Sequence, residues 1–252
     1  MVTSPTLPPA QREQNLLGQT LVVIGGSAGI GLETARRARA EGAEVIITAR
    51  NPDRLHSAGL ELGASIAAFD TTDFDRLKRF FDELPGPIDH VLVTGPGPHY
   101  APFAEFDIDE LRRDVEAHLL LPLEVGRNAV GKVRSGGTLL FMGGTGGRRT
   151  APGLYFLSAL TAALPAMTKN LALEIAPIRV NVIAAGFVDT PLSATLLGDQ
   201  LDARREQLRT TLPIGRVVGP ADIAALAIHI MTNSALTGAT FDVDGGQQLV
   251  GI

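Results

Sequence analysis

The chain is 252 residues long, room for one large α/β domain or two small ones. Its 45% hydrophobic and 19% charged residues exclude a disordered chain, and 22 basic against 27 acidic residues, a net charge of −5, leave no basic surplus for a nucleic-acid face. The absence of cysteine removes disulfides, thiolate nucleophiles and zinc–thiolate sites, and no stretch approaches the roughly 18 apolar residues of a membrane span.

Residues 1–15, with Pro5, Pro8 and Pro9, read as a flexible N-terminal arm without the apolar core of a signal peptide, so a cytoplasmic protein is expected. Order is expected from Leu16. Leu21-Val22-Val23-Ile24 is wholly apolar and runs into glycines, the pattern of a strand buried on both faces. A helix follows over residues 30 to about 41 and Gly42 stops it. Val45-Ile46-Ile47 is a second strand, and residues 65–69 a third. Residues 73–82 open with acidic side chains and read as a helix, 88–93 as a strand. Residues 107 to about 130 are helical, with Pro122 expected to kink them. Strands at 138–142 and 180–184 bracket a long helix at 155–175, and a helix at 221–231 precedes a short strand at 241–243.

Short apolar strands alternating with helices define repeated βαβ units and a parallel sheet. The pattern keeps its character and no Ser/Pro-rich linker interrupts it. Residues 16–252 are therefore expected to form a single doubly wound α/β domain of Rossmann type, with helices on both faces. In such sheets ligands sit beyond the carboxyl ends of the strands, where the strand order reverses.

After the first strand stands Gly25-Gly26-Ser27-Ala28-Gly29-Ile30-Gly31. Glycines at 25, 29 and 31, between a strand and a helix, leave room for a pyrophosphate at the helix N-terminus. The loop resembles that of the short-chain dehydrogenase/reductase family, and the resemblance covers residues 16–250. It extends to Asp70-Thr71 after the third strand and to Tyr155 with Ser158. Asn170 to Glu174, followed by Ile178-Arg179-Val180-Asn181, matches the family's long helix and sixth strand. Gly186-Phe187-Val188-Asp189-Thr190 and Thr237-Gly238 to Gly246 complete it. The resemblance implies a dinucleotide cofactor held by Gly25, Ser27, Gly29, Ile30 and Gly31, with Asp70 and Thr71 at the adenine, Gly95 after the fourth strand, and Gly186, Val188 and Thr190 at the nicotinamide.

An acid about 20 residues beyond the glycines selects NAD, whereas a nearby Arg accommodates the 2′-phosphate of NADP. Here Thr48-Ala49-Arg50-Asn51 stands at that place and no acid precedes Asp53. NADP(H) is therefore expected over NAD(H), with Arg50 as the phosphate clamp, helped by Ser27 and Asn51. Family members that prefer NADP often carry a second base in the glycine loop, where this chain has Ala28.

The resemblance also implies a Tyr that moves the proton, a Ser that orients the substrate, a Lys four residues after the Tyr, and an Asn on the preceding helix. Tyr155 matches the Tyr, but Ala159 stands at the Lys position. Gly144 falls at the Ser with Thr145 beside it, and His118 falls at the Asn. The loop before Tyr155 is short for the family, which leaves the register open by a residue or two. No metal spacing is seen among the remaining histidines. Arg148-Arg149 is a further candidate contact for a carboxylate or phosphate.

A phenol with a pKa of about 10 is protonated at neutral pH and is a competent acid without the Lys. The expected function is reduction of a small-molecule carbonyl to an alcohol, with Tyr155 as donor and Thr145 and His118 assisting. The alternative is a non-catalytic NADP(H)-binding sensor or partner-binding protein. Neither reading involves nucleic acid or membrane, and the resemblance implies a homo-oligomer, a tetramer or dimer.

Overall fold

A computed structural model describes residues 15–148 and 152–250. The expected arm, save Asn15, and Arg149 lie outside the described residues. Seven parallel strands form one sheet: β1 (Thr20–Ile24), β2 (Glu44–Ala49), β3 (Ser65–Ala68), β4 (Ile88–Val93), β5 (Val133–Gly144), β6 (Arg179–Ala185) and β7 (Thr240–Val243). Their order is β3-β2-β1-β4-β5-β6-β7, so the winding reverses between β1 and β4. Leu21 to Ile24 pair with His90 to Val93 across that seam.

Consecutive strand residues point to opposite faces, and here both faces are covered. Leu21, Val23, Ile47, Leu92, Leu140 and Ile183 enter one core, packed under the helices α1 (Gly29–Ala40), α2 (Pro52–Leu62) and α9 (Pro220–Thr232). Val22, Ile24, Val91, Val93, Phe141 and Val182 enter the other, under α3 (Phe74–Glu83), α5 (Leu121–Ala129) and α6 (Tyr155–Glu174). This is why the strands read as unbroken apolar runs.

The helix expected over 107–130 is three pieces: α4 (Ile108–Val115), a π-turn at Glu116–Leu120, and α5. Pro122 has no N–H to give to the carbonyl of His118, four residues earlier, and the ladder widens there. Three helices have no counterpart in the sequence expectation: α2, α7 (Pro191–Leu197) and α8 (Leu201–Thr211). α2 carries its own signals. Asn51 caps it by accepting the Arg54 amide at 2.9 Å, Pro52 begins it, and Gly63 ends it in the left-handed region at φ 59°.

Two buried polar groups brace the sheet, Arg179 against a helix and His90 against the segment that enters β1. Arg179 lies inside the fold and donates to five carbonyls, those of Gly136, Ile230, Met231, Asn233 and Leu236. It caps the C-terminal end of α9 with a full cation. His90, on β4, holds Gln19 through Nε2 at 2.7 Å. Burial, reinforced by the charges of Arg179 and Arg134, pushes the His90 imidazole down to about 3.

A base whose folded pKa is depressed is neutral in the fold and protonated on unfolding once the pH drops below its ordinary value of 6.5. Stability is therefore lost as pH falls from 6.5 towards 3, by about 2 kcal/mol at pH 5 from this group. In denaturant melts from pH 7.5 to 4.5, His90→Gln should flatten the slope. An unchanged slope would remove His90 from the acid sensitivity.

Candidate functional site

The glycine loop closes on the end of β4. Gly25 has φ 90°, and a Cβ there would overlap Thr94 Oγ1. A Cβ on Gly31 would overlap the carbonyl oxygen of Gly25. Thr94 Oγ1 donates within this contact, reaching the carbonyls of Ile24 and Gly25, both at 3.0 Å. Gly29 has φ 54°, and a Cβ there would rest in ordinary contact with Thr190, 3.5 Å from its Cγ2. The N-cap of α1 is Ala28, which has no side-chain oxygen for the first-turn amides. A cradle with no room for a Cβ, at a helix start without a side-chain cap, fits a phosphate.

The groove at this loop has a volume of about 370 Å³. Of the residues singled out in the sequence, Gly25, Ser27, Gly29, Ile30, Gly31, Arg50, Asn51, Thr71, Gly95 and Thr190 line it. Two expectations shift. Asp70 does not line the groove: its Oδ1 accepts from Thr72 N at 3.0 Å and Thr72 Oγ1 at 2.8 Å, closing a turn that presents Thr71 instead. Asn51 lines the groove, but its carbonyl oxygen is spent on capping α2. A second base at the groove is supplied by Arg54 on α2, not by the glycine loop. It went unread because the helix that carries it did.

Gly186 and Val188 line a second cleft of about 440 Å³, which shares Ile30, Thr94, Gly95, Pro96, Thr190 and Leu192 with the groove. Gly186 is compelled by packing, since a Cβ would stand 2.6 Å from both Asp244 Cβ and Gln247 Oε1. The buried Gln247 accepts from Phe187 N at 2.9 Å and fixes this loop. Thr190 caps α7 in a reciprocal bond pair with Ser193. Asp189 takes both Arg205 Nε (3.0 Å) and Nη2 (2.8 Å), anchoring α8.

Thr145 and His118 both line this second cleft. Thr145 is 1% exposed, and its Oγ1 has no partner. His118 sits on the π-turn, with Nε2 buried and likewise unpartnered. Burial holds its imidazole below the ordinary histidine range, against the opposing pull of Asp114. The buried Asp114 accepts from His99 N at 3.0 Å and pairs with His99 Nδ1 at 2.8 Å, clasping the loop that follows β4.

Tyr155 does not line the cleft. Its ring packs edge-on against Phe103 at 5.3 Å and lies near Phe106, beside a shallow outer recess with His99. Ala159, one turn on, is exposed as well. The face of α6 that looks into the cleft carries Leu157 and Thr161 at the same i,i+4 spacing. Thr161 Oγ1 donates back to the Leu157 carbonyl at 2.9 Å. The expected register is therefore two positions early. The tyrosine that does line the cleft is Tyr100, in the loop after β4, at the exposed mouth. Arg148 is turned away, paired with Asp242 and Gln248. Among the described residues no group of three His, Asp or Glu side chains could hold a metal, and no helix is long and apolar enough to cross a membrane.

Comparison with known proteins assigns the class. The family model described as enoyl-(acyl carrier protein) reductase matches residues 25–248. The chain is 29% identical to a short-chain dehydrogenase/reductase, ATR9, of Stachybotrys chlorohalonatus over 91% of this chain and 96% of the relative. It is 28% identical to an NADP-dependent (R)-specific alcohol dehydrogenase of Lentilactobacillus kefiri over 92% of this chain and 97% of the relative. A small-chain dehydrogenase solved in complex with NADPH superposes with a TM-score of 0.79 at 27% identity, covering 92% of this chain and 99% of that one. The chain belongs to the short-chain dehydrogenase/reductase family of oxidoreductases.

Two substitutions test the groove. Arg50→Ala combined with Arg54→Ala should lower the affinity for NADPH relative to that for NADH by about tenfold or more, the worth of one charge-assisted hydrogen bond. Calorimetric titration of both cofactors reads the ratio, and an unchanged ratio would place the 2′-phosphate elsewhere. Gly31→Ala should abolish cofactor binding and lower the Tm, because the new methyl must displace the Gly25 carbonyl.

Proposed function

We propose that this chain is an NADP(H)-dependent oxidoreductase that reduces the carbonyl of a small molecule in the cleft above β4, β5 and β6. One observation carries the reading. Two buried polar atoms without a partner, Thr145 Oγ1 and His118 Nε2, belong to the walls of a largely apolar cleft that adjoins the glycine groove. An unpaired buried polar group costs about 1–3 kcal/mol, a cost that a bound ligand relieves by supplying the partner. Arg50 and Arg54 beside the groove, with no acid between β2 and Asp53, support NADP over NAD. The NADP-dependent relative and the NADPH-bound neighbour agree.

When bound, the nicotinamide supplies a hydride to the carbonyl carbon. The chain's own part is to orient the carbonyl and stabilise its oxygen. The Thr145 hydroxyl donates to that oxygen, and His118, kept neutral by burial, offers a ring N–H as a second donor. The π bond of the carbonyl opens, and its oxygen takes a proton from water in the cleft. Leu157 and Thr161, which α6 presents to the cleft, bring neither a phenol nor an ammonium to draw a proton from an alcohol. This favours reduction over oxidation.

The same pair of residues favours the second reading, a cofactor-binding sensor without turnover. A panel of apolar ketones and aldehydes, assayed for NADPH consumption, separates the two. Thr145→Val should lower kcat/KM by about 100-fold, as loss of one donor to a developing oxyanion does. Tyr155→Phe should leave it unchanged, since that ring is outside the cleft. Tight NADPH binding with no consumption across the panel would give the sensor reading the lead.

A further inference from the structure

On the reading that this cleft is the substrate site, the bonding state of its lining narrows the ligand. Leu154, Leu157, Leu160 and Leu164 from α6 and Leu192 and Leu196 from α7 belong to its wall. Among the described residues that line it, none is Asp, Glu or Lys. The polar side chains that do line it are almost all committed. Thr94 Oγ1 donates to the carbonyls of Ile24 and Gly25, Thr161 Oγ1 to that of Leu157, and Thr190 and Ser193 hold each other. Gln247 accepts from Phe187 N, while Arg204 donates to Gln207 Oε1 at 2.6 Å and has a further partner. The buried polar atoms left over are Thr145 Oγ1 and His118 Nε2.

A charged group entering such a cleft gives up its water and gains no counter-ion, and each extra hydroxyl meets side chains that already have partners. Burial disfavours the charged form of His118, so the imidazole offers an anion no cation. One neutral carbonyl oxygen satisfies both of the remaining atoms. Position adds a second constraint. Thr145 is 1% exposed, whereas Leu192 and Leu196 on α7 are 43% and 47% exposed. The polar end of the cleft is therefore its buried end, and the half-exposed leucines gain cover only from a ligand long enough to reach them. We propose that the substrate class is a neutral, lipophilic aldehyde or ketone, its carbonyl at one end of an otherwise apolar body that extends to α7. A cleft of about 440 Å³ suits a drug-sized molecule of this kind. Sugars, oxo acids and amino ketones fall outside the class.

The test reads binding without turnover, so it can fail while the reductase reading stands, and the reverse. 1-Octanol, octanoate and octylammonium share an apolar chain and differ in their head group. NADPH-saturated protein has no hydride acceptor, so the alcohol is not consumed. Calorimetric titration of each into the full chain in that state should show 1-octanol binding about tenfold tighter than either ion, or more. 1-Hexanol should bind about tenfold more weakly than 1-octanol, the worth of two buried methylenes. Leu196→Ser should weaken 1-octanol by about tenfold and leave 1-butanol unchanged, because only the longer chain reaches α7. Circular dichroism and NADPH affinity are measured on the variant. The proposal is overturned if either ion binds as well as 1-octanol, if none of the three binds, or if affinity does not rise with chain length. It is overturned equally if Leu196→Ser, folded and with its NADPH affinity intact, weakens 1-butanol and 1-octanol by the same factor.

Discussion

The structure turns on one close approach, where the end of β4 touches the glycine loop that leaves β1. Thr94 Oγ1 bonds two carbonyls of that loop, and the α-carbons of Gly25 and Gly31 lie against Thr94 and the Gly25 carbonyl. The contact sits at the seam where strand order reverses. A parallel sheet opens a crevice there because successive helices cross to opposite faces. Any side chain in the contact would separate α1 from β4 and fill the crevice. The three positions therefore hold the phosphate cradle and the floor of the adjoining cleft in a single rigid unit.

The far wall is built differently, from polar anchors. Gln247 holds the loop after β6, Asp189 holds α8, Thr190 starts α7, and Asp114 clasps the loop after β4. These are side-chain bonds to backbone or to a partner of opposite charge, and most are at least partly buried. Their arrangement explains how short irregular segments can present leucines to a cleft and keep their shape. Val188 and Leu164 join the lining to the two main cores, whereas Leu192 and Leu196 belong to neither core and are placed by these bonds.

Much of this was legible in the sequence. Strands buried on both faces announce themselves as apolar runs, and the glycine loop is recognisable between a strand and a helix. The repeated βαβ pattern returns as one continuous seven-stranded parallel sheet. What escaped has specific causes. α6 is apolar on nearly every face, from Leu157 through Leu164 to Leu171, so periodicity gives no register, and the short loop before it hides the two-residue offset. Tyr155 matches the family tyrosine by resemblance, while its neighbours Phe103 and Phe106 come from a distant loop that no local pattern predicts. α7 and α8 are short or strongly polar and were passed over, and with them the cleft residues Leu192, Leu196 and Arg204. Asp70 closes its own turn by accepting from Thr72, a use that its two-residue spacing to Thr72 carries in the sequence.

The bare end of β5 has a bearing on how such a site can change over time. Gly144 has no side chain, and a Cβ added there would meet Thr161 Cγ2 at 3.3 Å. Thr161 is β-branched, so its methyl cannot swing clear without giving up the hydroxyl bond to Leu157. A serine at 144 is accommodated once residue 161 is unbranched, and a long side chain at 161 is free to extend once that branch has gone. The two positions are thus epistatic. A hydroxyl at 144 therefore requires Thr161 to give by a few tenths of an ångström or to lose its branch.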